Sequence, residues 1–111
     1  MSTGGLTDAA LVEAIEACTL PSAEFTHRNH VRLAWLYLRE ADAEAAGRRI
    51  SDTILRYASS LGAAKKFDAA LTLRWMQTVE RAMQLTPAED FDTFITAHPE
   101  LLRRDLLSST R

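Results

Sequence analysis

The chain has 111 residues, of which 47% are hydrophobic and 25% are charged, and its net charge is -2 at pH 7. This length and composition predict one globular domain. The slightly acidic balance argues against general binding to nucleic acids or anionic membranes. Arg32 and Arg39 interrupt the longest apolar stretch, so we expect no membrane span. The single cysteine, Cys18, and an N-terminus without signal-peptide features lead us to expect a cytoplasmic protein.

In chain order, the sequence predicts five or six short helices, and no stretch shows the period-two alternation of a strand. Residues 1–6 are expected to form a flexible tail, and residues 7–111 a single helical domain. Threonine and aspartate are good N-caps, and Gly62 is typical of a helix end. The predicted helices cover about 8–18 after Thr7, 27–40 after Thr26, 43–61 after Asp42, and 69–84.

The last third of the chain contains the start signals of two further helices. Residues 86–89, Thr-Pro-Ala-Glu, match a capping box with proline at the first helical position. We therefore expect them to begin the fifth helix. Pro99 either breaks the chain or begins a short sixth helix over residues 100–107. The apolar face of the fifth helix would consist of Phe91, Phe94 and Ile95.

The predicted second helix, about 27–40, differs from the others because it is apolar nearly all round. Between Val31 and Leu38, the polar groups are Arg32 and the hydroxyl of Tyr37. A helix of this kind is normally surrounded by other helices. We therefore predict an all-α fold, a single-domain bundle of five to six short helices with this apolar helix at its centre.

Two of the three histidines, His27 and His30, lie three residues apart at the start of that central helix. This spacing places both imidazoles on one helix face. The partial positive charge of a helix N-terminus disfavours imidazolium, so we expect at least one of them to be neutral near neutral pH. A neutral imidazole can act as a base or bind a metal. In the alternative, structural interpretation, His27 lies at the surface and His30 is hydrogen-bonded to the backbone.

Asp68 and Thr72 are the residues from elsewhere in the chain that we expect beside the histidines. Asp68 precedes the fourth helix, and Thr72, four residues later, begins the buried face of that helix. A carboxylate can orient an imidazole and raise its basicity, so the predicted catalytic set is His27, His30, Asp68 and Thr72. His27, His30 and Asp68 are also candidate ligands for a divalent metal ion. The plainer role of Asp68 is that of an N-cap.

Bulky side chains near these positions could form the apolar walls of a ligand pocket, or they could simply pack in the core. The candidates are Trp35, Tyr37, Trp75 and Met76. Lys65 and Lys66 follow Gly62 in the connection to the fourth helix. These lysines could meet an anionic ligand at the mouth of the pocket, or they could be solvated surface residues.

Residues 25–35 resemble the signature of a group of small, uncharacterised bacterial helical proteins, Phe-x-His-x-x-His-Val-Arg-x-Ala at the start of a helix. In that group, an aromatic residue, a histidine and threonines open a later helix that carries a tryptophan. This second motif would fall on Phe67, Asp68, Thr72 and Trp75. Asp68 stands where the group has histidine, a change that could keep a metal site, alter its preference or abolish an activity. The group has no established activity, so the resemblance implies a shared pocket rather than a reaction.

The sequence therefore predicts a small-molecule-binding protein with an internal polar pocket at His27 and His30, and it leaves open whether the protein is an enzyme. The histidines would act as acid/base groups or as ligands of a divalent metal ion. The alternative is a non-enzymatic interaction protein, in which the leucine-rich tail around Leu102 and Leu106 forms a homodimer or another partner interface. Neither interpretation involves nucleic acid or a membrane.

Overall fold

A computed structural model describes residues 6–104 and 106–107, and this part of the chain is helical without any strand. The prediction of an all-α fold is therefore confirmed. Short 3-10 turns connect some of the helices, and one of them, Pro99–Leu102, follows the last helix. The helices are α1 (Asp8–Glu16), α2 (His27–Glu40), α3 (Ala43–Ser60), α4 (Ala69–Leu85) and α5 (Phe91–Ala97).

Each of these helices begins at a polar residue whose side-chain oxygen accepts a hydrogen bond from the N–H three residues later. This bond satisfies one of the donors that a helix N-terminus leaves without an internal partner. The caps predicted at three of the helices are confirmed. The cap residues are Thr7, Thr26, Asp42, Asp68 and Asp90.

Helix α2 lies at the centre of the bundle, as its sequence predicts. Seven consecutive residues, Val31–Tyr37, are buried, so every side of this stretch is covered. The covering elements include α1, α3, α4 and the Pro99–Leu102 turn, and α5 also packs against this stretch. None of the helices in the described part of the chain is long and apolar enough to cross a membrane.

Arg32 is the charged exception within the buried stretch of α2, and it is only 9% exposed. Its guanidinium donates to Asp8 Oδ1 from Nε and Nη2, at 3.0 and 2.6 Å, and to the Leu6 carbonyl at 2.9 Å. This salt bridge joins α2 to the start of α1. Leu6, which we expected in the flexible tail, is instead partly buried against the core. The rest of that predicted tail, residues 1–5, lies outside the described residues.

Trp35 is a core residue and not the pocket wall that we expected. It is 1% exposed, and its ring packs against the rings of Phe91 and Phe94, with centroids 5.7 and 6.0 Å away. Both phenylalanines belong to α5. The contact therefore fixes the short α5 to the central helix.

Tyr37 also faces away from the predicted pocket. Its hydroxyl donates to Glu16 Oε2 at 2.5 Å and lies 3.0 Å from Thr53 Oγ1, and Arg49 stacks on its ring. Burial and the hydrogen bond to Glu16 raise the pKa of Tyr37 to about 12. This side chain therefore stays neutral and joins α1, α2 and α3 in a polar network.

The start of α5 differs from the prediction. The helix begins at Phe91, after the Asp90 cap, and not at the capping-box pattern of residues 86–89. Thr86 instead ends α4, and its hydroxyl lies 2.8 Å from His98 Nε2. The Thr86 hydroxyl is hydrogen-bonded to His98 and does not cap a helix, so no helix begins at residues 86–89.

The two ends of the bundle are also shorter than predicted. Helix α1 stops at Glu16 rather than at residue 18, because Cys18 has a left-handed φ of 61°. The predicted sixth helix over 100–107 is reduced to the 3-10 turn Pro99–Leu102. Leu101 in this turn is 1% exposed, so the turn closes the bundle despite its length.

Replacement of Trp35 tests its place in the core. We expect Trp35→Ala to lower the free energy of unfolding by about 3–5 kcal/mol, because the change leaves a large cavity beside Phe91 and Phe94. Urea unfolding followed by circular dichroism measures this loss. Leu85→Ala is the control, since Leu85 is 73% exposed. Equal losses in the two variants would contradict the core position of Trp35.

Candidate functional site

A cavity of about 310 Å³ lies between α2, α3 and α4. We call it the site cavity. Its polar and charged lining comes from the first turn of α2, from the start of α4 and the connection before it, and from the end of the chain. These lining residues are His27, His30, Lys66, Asp68, Thr72 and Arg104.

The buried part of the lining, the floor, is entirely apolar. Its residues belong to α2, α3 and α4, and none is more than 6% exposed. The exposed lining residues form the rim, which consists of Lys66, Asp68, Leu71 and Arg104. The floor consists of Val31, Ala34, Ile50, Ile54, Met76 and Val79.

All four residues of the predicted catalytic set line this one cavity. Thr26 caps α2, so His27 and His30 occupy its first turn and project from the same face. Asp68 caps α4, and Thr72 lies one turn later on the side of Asp68. Side chains that are about forty residues apart in sequence therefore meet at the point where α2 and α4 pack together.

His27 has a fixed role for one of its nitrogens. Its Nε2 lies 2.9 Å from the carbonyl oxygen of Leu101. A carbonyl can only accept, so Nε2 must carry the proton, and the neutral ring keeps Nδ1 as an acceptor. The ring also meets the edge of Trp75, with centroids 4.8 Å apart. Burial lowers the pKa of His27, the bond to Leu101 partly offsets this, and Arg104 lowers the pKa further.

His30 has no such hydrogen bond. Its ring packs on Phe25 with centroids 4.4 Å apart, and no residue in the described ranges hydrogen-bonds its nitrogens. Burial, with the nearby charges of His27 and Arg104, lowers the pKa of His30 to about 4. A neutral ring at neutral pH can donate one hydrogen bond and accept another. The structural interpretation had assigned the backbone bond to His30, but it is His27 that makes one.

Asp68 fulfils the plainer of its two predicted roles. Its Oδ1 accepts a hydrogen bond of 3.0 Å from the N–H of Leu71, so it caps α4. It makes no hydrogen bond to His27 or His30. The Thr72 hydroxyl likewise has no side-chain hydrogen bond within residues 6–104 and 106–107. The carboxylate therefore lies at the cavity without orienting an imidazole.

The described residues contain no group of three or more histidine, cysteine, aspartate or glutamate side chains placed to hold a metal ion. The predicted ligands His27, His30 and Asp68 do not form such a group. Two of the donor atoms are already engaged, since His27 Nε2 bonds to Leu101 and Asp68 Oδ1 accepts from Leu71.

The predicted pocket walls divide evenly. Trp75 and Met76 line the site cavity, whereas Trp35 and Tyr37 lie outside it. Sequence reasoning missed Arg104, which lines the cavity although it follows α5 and the Pro99–Leu102 turn. No local pattern in the sequence indicates that Arg104 lies beside the cavity. Its position depends on how the segment after α5 packs on α2.

Comparison with known proteins adds no relative. No protein-family model matches the chain, and no curated protein or solved structure gives a significant match. The resemblance of residues 25–35 to a group of bacterial helical proteins therefore stays a prediction. The function has to be inferred from the geometry of the site cavity.

The burial of His30 predicts a loss of stability in acid. Its pKa is about 4 in the folded protein and about 6.5 for an ordinary histidine, so the unfolded chain binds a proton first as the pH falls. The stability that neutral His30 contributes is fully present above the pKa of this residue in the unfolded chain. Up to about 3 kcal/mol is lost between about pH 7 and about pH 4.

Urea unfolding of the wild type and of His30→Gln across this range measures the effect. Acidic side chains contribute equally to both proteins, so the difference between the two profiles isolates the histidine. We expect the profile of His30→Gln to be flatter. Parallel profiles would show that His30 is as easily protonated in the folded protein as in the unfolded chain.

Proposed function

We propose that this protein binds a small organic molecule in the site cavity. The observation that carries the proposal is the meeting of polar side chains from two helices, His27 and His30 with Asp68 and Thr72, above an apolar floor. Binding sites for small molecules combine a mainly apolar lining with a few polar groups that orient the ligand. The cavity volume of about 310 Å³ suits a small ligand, since such sites measure about 300–1,000 Å³.

Unused hydrogen-bonding capacity in the cavity supports the proposal. The His30 ring and the Thr72 hydroxyl lack side-chain hydrogen bonds to any described residue. No buried side-chain nitrogen or oxygen of the described residues lacks a partner, so the polar atoms of both side chains are accessible from the cavity. A ligand that occupies the cavity would supply partners to both side chains, and it would gain orientation from them.

The electrostatics of the site favour binding over acid–base catalysis. A general base is most effective when its pKa lies near the working pH. Burial holds the pKa of His30 near 4, so this ring is a weak base at neutral pH. Asp68 does not hydrogen-bond either imidazole, and so it does not raise their basicity. The proposal is therefore a binding function, with His30 as a neutral donor or acceptor.

The leucine-rich tail gives less support to the alternative, an interaction protein. Leu101 is buried, and Leu106 packs against the core, so both help to close the bundle. Leu102 remains 41% exposed. One exposed leucine makes a small patch compared with the apolar areas that mark partner surfaces. A homodimer through this tail stays a prediction that no feature of the described residues favours.

A single-tryptophan variant allows ligand binding to be measured directly. Trp35→Phe leaves Trp75, which lines the cavity, as the reporter. We expect small molecules with an apolar body and one polar group to change the emission of Trp75 in a saturable way. In this background, Ala34→Phe should abolish the response, because Ala34 is a floor residue and a phenyl ring would fill the space.

Ala41→Phe is the matched control, since Ala41 is exposed at the opposite end of α2 and should leave binding unchanged. Overpacking can cost about 1–3 kcal/mol, so circular dichroism must show that Ala34→Phe folds. Thr72→Val, which keeps the side-chain volume, provides a second variant and should weaken polar ligands. Binding that survives both substitutions would place the ligand elsewhere, and a complete lack of binding across a fragment collection would refute the proposal.

A further inference from the structure

The rim of the site cavity carries a charge opposite to that of the whole chain. Lys66 and Arg104 contribute two positive charges, and Asp68 contributes one negative charge. The chain as a whole has a net charge of -2. Neither rim cation forms an ion pair with a residue that the structure describes. Counted over the described residues, the rim therefore has a surplus of one positive charge, which suits a ligand with a single negative charge.

The floor, in contrast to the rim, favours an uncharged and apolar part of the ligand. Its residues are apolar and almost fully buried, so a charged group placed there would lose its hydration without gaining a partner. The apolar part of a ligand, in contrast, is favourably removed from water on this surface. The two requirements together describe a molecule with an apolar body at the floor and an anionic group at the rim.

We propose that the site cavity binds a small monocarboxylic acid, with its carboxylate at the rim near Lys66 and Arg104 and its hydrocarbon body on the floor. This inference rests on the proposed function, because it names the class of ligand for the same cavity. Arg104 is suited to this role, since a guanidinium can donate two parallel hydrogen bonds to a carboxylate.

The unpartnered polar groups of the cavity fit the same ligand. A carboxylate accepts several hydrogen bonds, and the His30 ring and the Thr72 hydroxyl each have a proton to donate. Asp68 is the unfavourable charge at the rim. Its Oδ1 accepts from the N–H of Leu71, which holds this carboxylate at the helix start. The two cations outnumber it, so the balance still favours an anion.

The size of the cavity limits the length of the acid. A volume of about 310 Å³ lies at the small end of the range for ligand sites, about 300–1,000 Å³. We therefore expect an acid of small to medium size and take octanoate, with its eight carbons and two oxygens, as the probe. Shorter acids leave part of the floor uncovered. A much longer chain would extend beyond the floor, so dodecanoate should gain little affinity over octanoate.

Isothermal titration calorimetry with matched eight-carbon ligands tests the proposal. The ligands are octanoate, octanol and octylamine, which share one body and differ in the charge of the head group. We expect octanoate to bind about tenfold more tightly than octanol, and octylamine to bind most weakly. Added salt should reduce the preference for octanoate, because the rim charges are exposed.

Two substitutions locate the carboxylate. Lys66→Gln and Arg104→Gln should each weaken octanoate binding by about fivefold and leave octanol binding unchanged. Lys65→Gln is the matched control, since Lys65 is the exposed neighbour of Lys66 but does not line the cavity. It should leave the affinity for octanoate unchanged. Equal weakening by Lys65→Gln would show a general charge effect and overturn the proposal.

The outcomes separate this inference from the proposed function. If octanol binds as tightly as octanoate and Ala34→Phe blocks both, the cavity is a binding site but not for acids, and only the inference fails. If octanoate binds equally well to Ala34→Phe, the acid lies outside the cavity and the inference is again wrong. If neither the acids nor any neutral fragment binds, the inference and the proposed function fail together.

Discussion

The burial of α2 is the constraint on which the rest of the structure depends. Seven consecutive residues, Val31–Tyr37, are buried, so other elements must cover this helix on every side. Its first turn carries His27 and His30, which are polar and only partly buried. Both imidazoles line the site cavity together with Asp68 and Thr72. The site cavity therefore lies where the apolar stretch of α2 gives way to its polar first turn.

The hydrogen bond between His27 and Leu101 joins that first turn to the end of the chain, across 74 residues of sequence. Leu101 is itself buried, so the bond is supported by packing on both sides. The Pro99–Leu102 turn held in this way brings the next residues, including Arg104, to the cavity. One imidazole thus has two consequences, since it closes the bundle and helps to place a cation at the rim.

Spacing within a single helix was sufficient to predict much of the fold and the site. The central position of α2 and the convergence of its two histidines with Asp68 and Thr72 follow from helical periodicity and capping. The direction in which Trp35 faces does not, because it depends on where α5 docks. Arg104 could not be predicted for a similar reason, since its approach depends on the fold of the whole chain. Contacts between distant segments account for most of the differences from prediction.

The polar side chains of the site cavity differ from those of the core in their hydrogen bonds, and this difference supports a binding function. In the network around Tyr37, every polar group has a partner, and the arrangement joins three helices. At the cavity, the His30 ring and the Thr72 hydroxyl lack such partners within the described ranges. Stability alone would favour filling this space with apolar side chains. Accessible polar groups beside an open apolar floor are instead typical of pockets that bind a ligand.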